Sequence, residues 1–346
     1  MLSRCLRLIA AGIMLGAGFA SVARADGPLK VCATTPDLGS IAREVGGDKV
    51  EVTVFVKGPE DPHFLEAKPG FIKAASEADL LIEIGLELEV GWIPAIQANA
   101  RNEKILVGGA GFLDASTAIT PLEVPTGAID RSMGDVHAAG NPHYLSDPIN
   151  GIKVARLIAD KMESLRPEDR AGFESRYTAF RQKVCEKLVG EALAKKYETE
   201  KLATLYERGK LAQFLESQHD DKVGGWLGMV GAAYGTKAVS DHNLWPYFAK
   251  RYGIQVIGFL EPKPGVSPTT KHLGEIVELM KRENVKLILC TPYFDARHAA
   301  FVSGQTGAKT VALAHQVGSE PGTDDYISMC DYNVKQLAGA LKGGKQ

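Results

Sequence analysis

Several things are scarce in this chain. Aromatic residues make up 7% of its 346 positions, cysteines number five, and the formal net charge is only −2. A broad nucleic-acid footprint would need a basic face, so nucleic acid is excluded as a partner. After residue 25 no apolar run reaches the roughly 18 residues of a membrane span. No repeat with a period of about 20–50 residues recurs, which excludes solenoids and propellers. The chain has no Walker A loop, no GxSxG elbow, no HExxH helix and no GxGxxG turn after a strand. The common nucleotide-binding, serine-hydrolase and zincin signatures are therefore missing.

What is present is a chain 45% hydrophobic and 24% charged. That composition is too apolar for a disordered protein and long enough for two domains. The first 25 residues read as a secretory leader: Arg4 and Arg7 precede an apolar stretch, and Ala23-Arg24-Ala25 supplies the small residues of a cleavage site. Cys5 lies before the apolar stretch, so a lipid-anchoring cysteine is not supported. Removing the segment takes the formal charge from −2 to −5. The expected location is the periplasm. Cys32, Cys185, Cys290 and Cys330 remain, an even number that permits two disulfides in an oxidising compartment. Cys32 and Cys290 sit in apolar strand-like runs, where a reduced thiol packs as a small hydrophobe.

Strand patterns fall at Leu29–Thr34, Val50–Val56, Asp79–Gly85 and Lys104–Val107, then at Lys237–Ser240, Gln255–Phe259, Lys286–Cys290 and Lys309–Leu313. Helical patterns lie between them, among them Leu38–Val45, Gly70–Glu77 and Thr270–Glu283. Alternation of this kind predicts an α/β fold with mostly parallel sheets. Four strands on each side of a long helical gap predict two lobes, each with a four-stranded sheet flanked by helices. Within the gap, Phe173, Tyr177, Phe180, Val184 and Leu188 recur along one helix face. The expected division is an N-terminal lobe over 26–165, a long linking helix over 166–195 and a C-terminal lobe over 196–346. Residues 119–142 read as a long loop, a length associated with function or mobility.

Eight histidines carry the chemical argument. His63 lies in Asp61-Pro62-His63, just past the second strand. His143 lies in Asn141-Pro142-His143-Tyr144, at a helix entrance. His242 follows the strand ending in Ser240-Asp241, and His315 follows the last strand. Ligands in open α/β sheets bind beyond the carboxyl ends of strands. Two histidines come from each lobe, separated by 80, 99 and 73 residues, so each arrives on its own loop. A tetrahedral imidazole cluster between the lobes follows. His219, His272 and His298 read as surface residues, and His137 as an accessory or transfer residue.

These residues, taken in order, resemble a known family, the periplasmic substrate-binding proteins of ABC importers for zinc and manganese. The resemblance runs over residues 29 to 343. Its anchors are Asp61-Pro62-His63, Gly140-Asn141-Pro142-His143-Tyr144 with Asp147-Pro148, Asp241-His242 with Trp245-Pro246-Tyr247-Phe248, Glu261-Pro262-Lys263-Pro264-Gly265, and Asp325-Tyr326 through Asp331-Tyr332-Asn333. It implies two α/β lobes joined by one rigid helix, with metal at their interface. It also implies that His63, His143 and His242 are three of the ligands. The family's fourth ligand is commonly a carboxylate after the last strand. Here that stretch reads Ala312-Leu313-Ala314-His315-Gln316, so His315 is assigned, with Glu261, Asp295 or water as alternatives. The loop over 119–142 holds one histidine, His137, where many zinc-importing relatives carry a His-rich stretch.

Three or four imidazoles without a carboxylate favour Zn²⁺ over Mn²⁺. The expected function is a monomeric carrier that captures Zn²⁺ and delivers it to an ABC permease, with a periplasmic metallochaperone as a possible further partner. A manganese carrier of the same class is the alternative. A zinc-dependent hydrolase would need a general base, for which Glu261 is the one candidate. An organic-ligand binder would want aromatic residues at the cleft, and Trp92, Trp226 and Trp245 are scattered.

Overall fold

The structure, a computed structural model, describes residues 27–127, 136–220 and 222–342. The expected leader, residues 1–25, and part of the 119–142 loop lie outside the described residues. Among the described residues, eight short strands form two sheets. The first contains β1 (Leu29–Ala33), β2 (Val50–Val54), β3 (Leu80–Glu83) and β4 (Phe112–Asp114), in the order β2-β1-β3-β4. The second contains β5 (Lys237–Ser240), β6 (Gln255–Phe259), β7 (Leu287–Cys290) and β8 (Lys309–Ala312), in the order β6-β5-β7-β8. Every pairing is parallel, so each crossover carries helix and both sheet faces are covered.

The fourth strand of the first lobe is not where the apolar pattern put it. Glu103–Ile105 is a 3₁₀ turn, and Leu106 and Val107 are exposed. The chain first makes a turn through Gly108-Gly109-Ala110-Gly111. At Gly111 a Cβ would stand 2.1 Å from the Asp79 carbonyl, so only glycine passes there. Phe112–Asp114 then pairs with Leu81–Glu83. The close approach, rather than the hydrophobic run, fixes the register.

Between the sheets run two long antiparallel helices, Pro148–Leu165 and Arg170–Val189. Asp147 caps the first, its Oδ1 accepting the Ile149 N–H at 2.9 Å, and Pro148 takes the first helical position. The second has 20 residues, about 30 Å of rod, and ends at Gly190 with φ +90°. Phe173, Phe180, Val184, Cys185, Leu188 and Val189 bury one stripe of it. That stripe belongs to a core which also contains β1 and β3 residues, β7 residues and the C-terminal helix Tyr326–Lys342. The two lobes thus share one continuous core, while separate apolar clusters fill the outer faces of the two sheets. All four described cysteines are free thiols, and burial pushes those of Cys32 and Cys290 up to about 12.

Candidate metal centre

Three loops from both lobes bring His63, His143 and His242 together. One ring nitrogen of each lies within 4.8 Å of the other two. Ring centroids are 5.2 Å apart for His63 and His143, 6.2 Å for His63 and His242, and 6.3 Å for His143 and His242.

His63 is held by its own short motif. Asp61 Oδ1 accepts the His63 backbone N–H at 3.0 Å and lies 2.7 Å from Nδ1. The Trp92 indole N–H donates to the Pro62 carbonyl at 3.1 Å. With its proton on Nδ1, the neutral ring presents the Nε2 lone pair.

His143 sits one turn ahead of the helix Pro148–Leu165. Its N–H donates to Asn141 Oδ1 at 3.0 Å, and the Ser146 hydroxyl donates to its carbonyl at 2.8 Å. Asn141 also reaches the other lobe, donating to the Asn243 carbonyl at 2.9 Å. Burial, with His63 and His242 alongside, holds the His143 imidazole well below its ordinary titration range and hence neutral, as a metal ligand requires.

His242 leaves β5 through Asp241. The Asp241 carboxylate accepts the N–H groups of His242 and Thr291, which locks the loop to β7. Burial raises its carboxyl to about 6 against those hydrogen bonds. His242 Nδ1 lies 2.6 Å from Glu261 Oε2, and Phe294 stacks on the ring at 5.3 Å. Two of the three imidazoles therefore form carboxylate–histidine pairs of the kind that orient metal ligands. Beside them opens a cavity of about 990 Å³, lined by Asp61, His63, His242, Glu261, Tyr293 and Phe294 among others.

The remaining candidates fall elsewhere. His315, like His137, lies outside the three-histidine cluster. Its Nε2 lies 3.2 Å from the Glu60 carbonyl, its ring meets Tyr293 edge-on, and with His143 it lines a separate cavity of about 30 Å³. Next to it, the Gln316 amide donates to the carbonyls of Lys57, Gly58 and Glu60. The segment after β8 thus braces the loop that carries His63. Glu261 is engaged with His242. Asp295 pairs with Arg297 and caps the helix Ala296–Thr306. His137, expected from the sequence as an accessory or transfer residue, has its Nε2 3.3 Å from His63 Nε2. Its only signal was a place six residues before His143.

The chain matches the family model for the zinc-uptake complex component A, periplasmic (ZnuA), over residues 31–207 and 229–340. It is 25% identical to the metal ABC transporter substrate-binding lipoprotein FimA of Streptococcus parasanguinis, covering 95% of this chain and 94% of that protein. It is 24% identical to the manganese ABC transporter substrate-binding lipoprotein PsaA of Streptococcus pneumoniae, covering 90% and 89%. Among solved structures it resembles a crystal structure of ZnuA, with a TM-score of 0.64 and 23% identity over 91% of this chain and 99% of the other. The Mn-bound periplasmic metal binding protein of Candidatus Liberibacter asiaticus has a TM-score of 0.64 at 17% identity, covering 90% and 98%. At these identities the two structures establish the two-lobe fold. The chain belongs to the ZnuA family: it is a substrate-binding component of the zinc and manganese class of ABC importers, not an enzyme.

Proposed function

We propose that this member of the family captures Zn²⁺ between its lobes through His63, His143 and His242 and hands it to an ABC permease. The observation that carries the reading is the convergence of three imidazole nitrogens within 4.8 Å, two of them on rings whose Nδ1 faces a carboxylate. Imidazole suits zinc, while carboxylate and water suit manganese. The nearby carboxylates are used from behind the rings: Asp61 on His63, Glu261 on His242. Copper would outcompete zinc on intrinsic affinity, so supply and geometry decide between them.

Manganese is the second reading, favoured by relatives named as manganese ABC transporter substrate-binding lipoproteins. In this proposal the first 25 residues direct export and are cleaved, and the mature carrier works as a periplasmic monomer. A metallochaperone is a further candidate partner.

The test is metal content and affinity of the purified protein for Zn²⁺ and Mn²⁺, beside His63→Ala, His143→Ala and His242→Ala. One zinc per chain, lost or sharply weakened in all three variants, is the expected result. Preference for manganese would select the second reading, and indifference to all three substitutions would sink both.

A further inference from the structure

We infer that His137 is the fourth donor of this site, completing an all-imidazole shell, and that Glu87 positions it. The inference rests on the three-histidine reading above and deepens it.

The first observation is distance. Around tetrahedral zinc with Zn–N of about 2.0–2.1 Å, neighbouring ligand nitrogens stand about 3.3–3.4 Å apart. His137 Nε2 and His63 Nε2 are 3.3 Å apart, and Nε2 is the His63 atom left free by Asp61. His63 has His143 and His137 at nearly equal ring separations, 5.2 and 5.4 Å. His137 also shares a cavity of about 250 Å³ with His143 and His242. Its nitrogens stand outside the set that lies within 4.8 Å of one another, so metal binding must draw the ring inward.

The second observation is how the segment is fixed. The Ala138 N–H, one residue on, donates to Glu87 Oε2 at 2.6 Å. Glu87 stands in a run of left-handed residues, Gly85, Leu86 and Glu87, with φ of +76°, +51° and +67°. Consecutive non-glycine residues in that region are strained, and such strain persists only where the surroundings enforce it. Here it places a carboxylate that holds the backbone beside His137. Of the competing donors, Glu261 is engaged with His242 and Asp295 with Arg297. His315 gives Nε2 to the Glu60 carbonyl but keeps a buried Nδ1 without a hydrogen-bond partner, and so is the rival donor.

Two neutral imidazoles 3.3 Å apart can also share a plain N–H···N hydrogen bond, so the experiment separates the two roles. Co²⁺ replaces zinc in the purified protein, and its visible absorption reports the ligand field directly. His137→Ala and the ring-preserving His137→Phe should both keep one metal per chain, weaken Zn²⁺ binding by about 100-fold or more, the upper end of what even outer residues cost, and alter the Co²⁺ spectrum as water takes the fourth place. His315→Ala should leave that spectrum unchanged. Glu87→Ala should weaken binding less, and should add nothing in a His137→Ala background, as expected if it acts through His137. A wild-type Co²⁺ spectrum in both His137 variants, whether or not affinity falls, overturns the inference. If His63→Ala still abolishes binding in that case, the three-histidine reading stands without it. If His63→Ala binds normally, both fall.

Discussion

Glu261 stands 2.6 Å behind the Nδ1 of His242, across a loop that also ties the Gly265 N–H to the same carboxylate oxygen at 3.2 Å. Both side chains are buried, at 8% exposure each. The pair fixes ring orientation and tautomer and raises the basicity of the remaining nitrogen. Glu261→Ala should retain one zinc per chain but bind it about 10- to 100-fold more weakly. Glu261→Gln, which keeps an acceptor without the charge, should lose less. Competition titration against a chelator reads both, and equal affinity in all three proteins would remove Glu261 from the site.

Asp37 supplies a pH dependence with a definite sign. It opens the helix Pro36–Gly46 and accepts the Val317 N–H of the other lobe at 2.6 Å. Burial raises its carboxyl to about 7, against that hydrogen bond; an unfolded aspartate titrates near 3.9. The folded state therefore holds the extra proton between those values. The stabilisation is complete below about pH 4 and is lost as pH rises through about 7. His137 and His315, both lowered to about 4 chiefly by burial, act oppositely between about 6.5 and 4, so the difference between proteins is the quantity to read. Asp37→Asn keeps an acceptor for Val317 and removes the titration. Its metal-free stability relative to wild type should rise with pH from 4 to 7, by on the order of 1 kcal/mol per unit, and level off above. Urea melts at several pH values measure this, and a flat difference would refute it.

The lobes are also joined by a buried ion pair. Arg251 holds Asp147 through two contacts of 2.8 Å, with both residues almost fully buried. Removing Arg251 strands the Asp147 charge and deprives Glu207 of a partner at 2.8 Å, so Arg251→Met should cost about 3–5 kcal/mol. Replacing Asp147 as well should recover only part of that, since Glu207 stays without its Arg251 contact and the helix cap is lost. Asp147 additionally caps the helix that follows His143. With this pair and a continuous core across the lobe boundary, metal binding should leave the radius of gyration nearly unchanged in solution scattering. A large apo-to-holo change would contradict that.

Much of this architecture is legible in the sequence because short strands rich in apolar residues alternate with helical patterns, and seven of the eight strand positions among the described residues follow from that signal. β4 is not among them, since its three residues are placed by glycine-permitted contact with β3 rather than by hydrophobicity. The three clustered histidines are legible because each ends a strand or opens a helix. His315 satisfies the same rule and lies outside the cluster: its Nε2 and the neighbouring Gln316 are taken by carbonyls of the Lys57–Glu60 loop, while its Nδ1 has no hydrogen-bond partner. Those contacts span more than 250 residues of chain and leave no local trace. His137 shows the reverse, a ring that meets His63 from a patternless loop whose Ala138 N–H is held by Glu87.

That cross-lobe brace yields the last expectation. Gly58 lies in the loop leading to His63, and a Cβ there would stand 2.2 Å from the carbonyl carbon and oxygen of Gly318. The obstruction is backbone on both sides, so no rotamer change relieves it. Gly58→Ala must open the crossing and stretch the Gln316 bonds to Lys57, Gly58 and Glu60, the contacts that seat the His63 loop. Thermal stability and zinc affinity should fall together, although the substituted position touches no metal ligand. Gly339 is the control: it lies within the C-terminal helix with nothing within 4 Å of an added Cβ. Gly339→Ala should stabilise by roughly 0.5–1 kcal/mol and leave affinity alone. If Gly58→Ala lowered stability but bound zinc as wild type does, the brace would serve the fold only, and the geometry of His63 would rest on Asp61 and Trp92.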